Sequence, residues 1–385
     1  MLYTRNMTHK IIFFFAVLGF WSCRQNVKIT SQSLEQPKKD RIDSLGDRYL
    51  QLHRFSGSIL VAKGDEVVYT KSFGFADYEA KTPFSKQTAF KIGQITKLIT
   101  KDIVYQLIQE EELKSTDRVS KYYAAITSDI TIQEALNQES DINYNALGKV
   151  IEKVSGKTYQ KNIEAYSTDL NLENTYFEEN DPNQAIGYLY HNYQGKGLEL
   201  QRSPEYELQS AFSSKGIKST IYDILKILKS QSKERRIQGY IENDGFSYAL
   251  INDIDSNTTI IVLSNRRHPV AEEISNSITA ILSNREYRLP LSRKPVDIDM
   301  ASLQELTGKY GVNENMIFDV YTSNDSLFVS MGPNPLHLVP QSANQFYMQP
   351  MDAAMRFLKD STDTVNKVML LNGFIDSNEY ATRIE

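Results

Sequence analysis

The chain has 385 residues, enough for two domains or for one large domain with an appendage. Its hydrophobic share of 41% and charged share of 24% are those of an ordinary folded protein. A net charge of -5 argues against nucleic acid as the main partner, and five scattered histidines with one cysteine exclude a clustered zinc site and an internal disulfide framework.

The first predicted element is a processing signal. Arg5, His9 and Lys10 precede an apolar run from Ile11 to Trp21 that is too short to span a bilayer comfortably. Residues 1–22 therefore read as a signal peptide. It ends in Gly19-Phe20-Trp21-Ser22-Cys23, and Cys23 is the single cysteine. The arrangement resembles a bacterial lipoprotein signal, in which the cysteine is lipidated and becomes the first mature residue. Phe20 and Trp21 are bulkier than is usual there, and an ordinary secretory signal is the alternative. The expectation is a secreted lipoprotein of the cell envelope, facing the periplasm or on the outer membrane, reaching the membrane through its anchor.

Residues 23–41 are polar and read as a flexible tether. Order is expected from Ile42, after which Leu45, Tyr49 and Leu52 recur at helical spacing. Between Phe55 and Phe75 short apolar runs flank Lys63-Gly64-Asp65, which predicts a hairpin with a glycine in its turn. A helix is predicted from Thr96 to Glu111, with Leu98, Ile99, Ile103, Val104, Leu107 and Ile108 on one apolar stripe. Pro290-Leu291-Ser292-Arg293-Lys294-Pro295 punctuates the chain and separates a domain over residues 42–289 from another over 296–385. Short strand patterns fill the second: Leu306 to Tyr310, Ile317 to Tyr321, Ser326 to Met331, Leu336 to Val339, Gln345 to Met348, Met355 to Leu358, Val365 to Leu371 and Tyr380 to Ile384. They predict a small antiparallel barrel or sandwich.

The residues that bear on chemistry lie where the Thr96 helix begins, at Ile92-Gly93-Gln94-Ile95-Thr96-Lys97. Penicillin-recognising serine hydrolases carry Ser-x-x-Lys at such an entry, a serine nucleophile with its lysine base. Here Lys97 is present, but Gln94 stands where the serine would be. A carboxamide has no hydroxyl to deprotonate and forms no acyl-enzyme. Further segments, in order, resemble the β-lactamase-related serine hydrolases, the group of class C β-lactamases, DD-peptidases and esterases. These are Phe55-Ser56-Gly57-Ser58-Ile59-Leu60-Val61-Ala62, Phe73-Gly74-Phe75-Ala76-Asp77, Leu113 to Tyr122, Val150 to Lys157, Ser219-Thr220-Ile221-Tyr222-Asp223 and Thr259 to Asn265. The resemblance runs from about residue 45 to 285. It implies an α/β fold, a mixed sandwich with a largely antiparallel sheet flanked by helices, a helical region near residues 96–180, and an appended β-rich barrel-like module.

The resemblance also places two further motifs. The family's Tyr-x-Asn falls on Glu139-Ser140-Asp141, so carboxylates replace both the proton-relaying phenol and the orienting amide. The simplest reading takes Glu139 and Asp141 as solvated loop charges; if one comes near Lys97, it should form a salt bridge with the ammonium. The family's Lys-Thr-Gly belongs shortly before Gly245-Phe246, where the chain reads Gln238-Gly239-Tyr240-Ile241-Glu242-Asn243-Asp244 without a basic residue. Thr96 adjoins Lys97 but points about 100° away on a helix. Ser213-Ser214-Lys215-Gly216 resembles the family's Gly-rich turn and reads as a loop.

Function then divides three ways: a non-catalytic homologue binding a cell-wall peptide, another small ligand or an envelope protein partner; an active esterase, peptidase or β-lactam hydrolase with a rearranged site; or a structural role through the β-module. No cofactor and no metal is implied.

Overall fold

A computed structural model describes residues 34–384, apart from 127–128, 178–180, 193–197, 205–211, 231–234, 242–244, 267–269, 291–294, 315, 331–334, 349–352 and 372–379. The predicted signal at 1–22, Cys23 and the first part of the tether lie outside the described residues.

Helix α1 (Gln36–Gln51) starts ahead of the order expected at Ile42, so residues 36–41 are helical rather than tether. Pro37 explains the early start: in the first turn its missing N–H costs nothing and its fixed φ suits the helix. Ile42, Leu45, Gly46 and Tyr49 form its buried face.

The strands of the first domain are β1 (Gly57–Lys63), β2 (Glu66–Phe73), β3 (Phe75–Asp77), β4 (Thr82–Pro83), β5 (Phe90–Lys91), β6 (Tyr188–Asn192), β7 (Leu198–Arg202), β8 (Lys218–Ser219), β9 (Arg235–Ile241), β10 (Phe246–Asp253) and β11 (Thr258–Ser264). Five of them make the central sheet, ordered β2-β1-β11-β10-β9, with every neighbouring pair antiparallel. The expected hairpin joins β1 to β2 through Gly64, whose φ of +53° suits a residue without Cβ. Three two-stranded ribbons, β3-β4, β5-β8 and β6-β7, lie outside this sheet.

Both faces of the sheet are covered, which is why β1 and β11 read as continuous apolar runs rather than alternating ones. On one face Leu60, Tyr248, Leu250, Ile261 and Leu263 join the larger core with α2 (Thr96–Gln109), α3 (Ile132–Gln138), α4 (Asp141–Ser155), α5 (Tyr159–Asp169) and α7 (Ile221–Ser230). The short α6 (Phe212–Lys215) packs against α2 and α4. On the other face Ile59, Val61, Ala249, Ile251, Ile260 and Val262 pack with α1 and α8 (Val270–Leu282). Each such fully buried aliphatic side chain contributes roughly 1.5–3 kcal/mol. The α2 stripe is as expected, but the helix ends at Gln109 rather than Glu111, because Glu111 turns to a φ of +62°. A 3-10 turn, Gly93–Ile95, leads into it.

In the C-terminal part, α9 (Met300–Glu305) precedes β12 (Gly308–Asn313), β13 (Met316–Ser323), β14 (Ser326–Ser330), β15 (Leu336–Ser342), β16 (Gln345–Met348), β17 (Ala353–Lys359), β18 (Val365–Leu371) and β19 (Tyr380–Arg383). Between the two architectures left open by the strand pattern, the barrel is the one formed: β12 pairs with β19 at Tyr310–Arg383 and Gly311–Thr382 and closes it. Tyr310, Phe318, Phe346, Met348, Met355 and Phe357 fill its interior. The helix α9 was not expected; Asp299 caps it by accepting from the Ser302 amide.

Candidate functional site

The site is assembled where the 3-10 turn, α2, the junction of α3 with α4, and α6 meet. Gln94 sits in the 3-10 turn with its side chain exposed, and Lys97 lies in the first turn of α2 and is 8% exposed. Lys97 Nζ donates to the Glu139 carbonyl oxygen at 2.5 Å and lies 2.8 Å from Asp141 Oδ1. The Tyr144 ring centroid is 5.5 Å from the same ammonium.

Local sequence sets up this geometry. Thr131 and Glu134 form a reciprocal capping box that starts α3. The helix stops at Glu139, whose φ of +51° turns the chain. Ser140 then caps α4 by accepting from the Asn143 amide, which makes Asp141 the first residue of that helix. A carboxylate in a helix's first turn is favoured by the unpaired amides there.

Asp141 is therefore not the solvated loop charge of the simplest reading. Its Oδ2 pairs with Lys215 on α6 while Oδ1 holds Lys97. Burial opposes its ionisation, but the hydrogen bonds and charges of Lys215 and Lys97 outweigh that and hold its carboxyl below the usual range. The Glu139 side chain is exposed, as the simplest reading has it; only its backbone reaches Lys97. Lys215 belongs to a short helix rather than to the loop expected at Ser213-Ser214-Lys215-Gly216.

Lys97 is thus already engaged, with Asp141 as its ion-pair partner and the Glu139 carbonyl as its acceptor. The other hydroxyls considered are engaged elsewhere. Thr96 Oγ1 accepts from the Ile217 amide at 3.2 Å, and Ser213 Oγ donates to the Tyr144 carbonyl at 2.8 Å; both side chains are buried. The strand expected to hold Lys-Thr-Gly is β9, an edge strand packed beside the 3-10 turn, where Gln238 and Gly239 stand. Residues 242–244 of that interval lie outside the described residues.

Two site residues escaped the sequence reading. The resemblance to a Gly-rich turn makes Lys215 read as a loop residue, although a lysine inside such a segment is itself a signal. Tyr248, on β10, was not singled out; its hydroxyl accepts from the Gln94 amide at 3.2 Å. Among the described residues no group of three His, Cys, Asp or Glu side chains could hold a metal ion.

Residues 33–243 match the family described as Beta-lactamase. Penicillin-binding protein 4* of Bacillus subtilis (strain 168) is 21% identical over 426 aligned residues, covering 84% of this chain and 94% of that protein. Teichoic acid D-alanine hydrolase of Staphylococcus aureus is 26% identical over 201 residues, 41% of this chain and 50% of that protein, so the match spans about half its length. Among solved structures, FmtA from Staphylococcus aureus superposes with a TM-score of 0.55 at 20% identity, over 69% of this chain and 91% of that one. The octameric penicillin-binding protein homologue from Pyrococcus abyssi gives 0.53 at 18% identity, over 89% and 99%. These structural likenesses concern the fold.

Proposed function

The chain belongs to the β-lactamase family, and on that footing we propose that it is a non-catalytic member, a binding protein of the bacterial envelope. The observation that carries this reading is the state of Lys97. Its ammonium is clamped between Asp141 and the Glu139 carbonyl, while the residue three before it is Gln94. Acyl transfer by this family's logic needs a hydroxyl and a base to receive its proton. Gln94 has no hydroxyl, and Lys97 is already engaged by two acceptors.

The ligand class is a cell-wall peptide, another small molecule or a protein partner. The names of two relatives, a penicillin-binding protein and a teichoic acid D-alanine hydrolase, support a wall-related ligand. The exposed Gln94 and the partly exposed Asp141 and Lys215 give such a ligand polar groups to meet. Localisation rests on the sequence: a signal peptide over 1–22 and acylation at Cys23 would tether the folded part to a membrane. Among the described residues no helix is long and apolar enough to cross one.

Intact mass after incubation with a fluorophosphonate or a penicillin tests the central point. No adduct is expected. A stoichiometric adduct on any serine near Lys97 would overturn the reading in favour of a hydrolase with a rearranged site.

A further inference from the structure

Tyr248 lies outside the three motif segments, yet it reaches the nucleophile position. It projects from β10 toward the α2 side of the sheet and is 1% exposed. Opposite it in the ladder stands Gly239 on the edge strand β9. A Cβ at Gly239 would come within 2.8 Å of the phenol oxygen. Beyond β9 the ring meets the 3-10 turn at Gly93, where φ is +53° and a Cβ would lie 2.3 Å from Cε1. Two glycines in separate elements thus admit this one aromatic ring.

The hydroxyl ends at the backbone amide of Gln94, accepting from it at 3.2 Å. An amide at the start of a helix has no intrahelical acceptor and must find one elsewhere. In acyl transfer this amide has a particular use. The oxygen of a tetrahedral intermediate is bonded to the carbon that the nucleophile attacks. The nucleophile residue's own N–H is therefore well placed to receive it, at about 2.7–3.1 Å. A phenol oxygen accepting from that amide competes with an oxyanion for the same N–H.

We propose that Tyr248 fills the oxyanion position of the family's acyl-transfer site with its own hydroxyl, so that this site excludes acyl carbonyls by occupancy as well as by lacking a serine. The proposal rests on the non-catalytic reading and deepens it: a ligand binds here without seating a carbonyl on the Gln94 amide, and its polar contacts fall instead on the Gln94 side chain, Asp141 and Lys215. Because Gly239 and Gly93 leave no slack around the ring, the hydroxyl withdraws only if β9 or the 3-10 turn moves.

Hydrogen–deuterium exchange at the Gln94 amide of the full chain is the deciding measurement. Tyr248→Phe keeps the ring and removes the acceptor, so exchange there should accelerate at least ten-fold while amides in the neighbouring α2 turn are unchanged. Gly239→Ala, whose Cβ meets the phenol oxygen and so parts it from the amide by moving β9 or the turn, should also accelerate exchange at Gln94. Unchanged protection in both variants overturns the assignment. The exclusion is tested separately in the Gln94→Ser/Asp141→Asn variant, where adding Tyr248→Ala should raise fluorophosphonate adduct at position 94 at least ten-fold. An adduct yield no higher than in the parent variant overturns exclusion by occupancy. An adduct on the unmodified chain would instead sink the non-catalytic reading and leave the exchange result standing.

Discussion

At the scale of single residues, Lys97 and Asp141 explain each other. A buried ammonium is costly unless paired and hydrogen-bonded, and Lys97 has both a carboxylate and a carbonyl. Asp141→Asn keeps the shape of the side chain but removes the charge shared by Lys97 and Lys215. The bridge is neither fully buried nor fully exposed, so the loss should be about 1–3 kcal/mol in urea unfolding at pH 7. The pH dependence follows from the depressed folded pKa of Asp141. Its contribution is complete above the unfolded value, about 3.9, and disappears as pH falls through the lower folded value. The stability gap between wild type and Asp141→Asn should therefore narrow progressively as pH falls below about 4; a gap that does not narrow between pH 4 and pH 2 would show that the carboxylate's charge is not the cause. Gln94→Ser by itself should yield no measurable penicillin adduct, because Lys97 stays engaged by Asp141 and the Glu139 carbonyl and the positions of Tyr-x-Asn and Lys-Thr-Gly carry other residues. Intact mass of the single variant checks this.

Elements place these residues, and their junctions are where the site is most easily disturbed. The α3–α4 junction delivers the Glu139 carbonyl and the Asp141 carboxylate to Lys97 from two adjacent helix ends. Thr131→Ala removes the cap that starts α3 and should cost about 0.5–2 kcal/mol. Thr131→Ser should recover most of it, and equal melting of the two variants would dismiss the cap as the cause. The 3-10 turn is the other junction. Gly93→Ala forces a side chain into a left-handed conformation, about 1–2 kcal/mol, and against the Tyr248 ring, about 1–3 kcal/mol more. A total near 2–5 kcal/mol is expected from denaturant unfolding. A Gly93→Ala protein as stable as wild type would mean that the turn is not packed on Tyr248.

On the scale of the whole molecule, the sheet-centred part and the barrel have separate cores with no shared residue among those described. Calorimetry should accordingly resolve two unfolding transitions, and a single symmetrical transition would mean that the two parts unfold as one. The acylation proposed at Cys23 makes a different prediction. Multiple acyl chains, at roughly 0.8 kcal/mol per buried methylene, should hold the protein on membranes, and Cys23→Ala should release it or leave it unprocessed. Equal partitioning of both forms would indicate an ordinary secretory signal. The sequence by itself determined the family, the two-part architecture and the absence of a serine at position 94. Those depend on local order: apolar runs such as Thr259 to Asn265, Gly64 in a turn, and residue types at fixed motif spacing. It also singled out Glu139 and Asp141 and expected a salt bridge if either came near Lys97, but it could not say that Asp141 is the one that does so or that Lys215 joins it. Tertiary structure alone decided that β12 meets β19 to close a barrel, that Lys215 shares Asp141 with Lys97, and that Tyr248 lies on the Gln94 amide. Each of these joins residues tens of positions apart, and no local periodicity reports such a distance; the packing of helices and strands creates it.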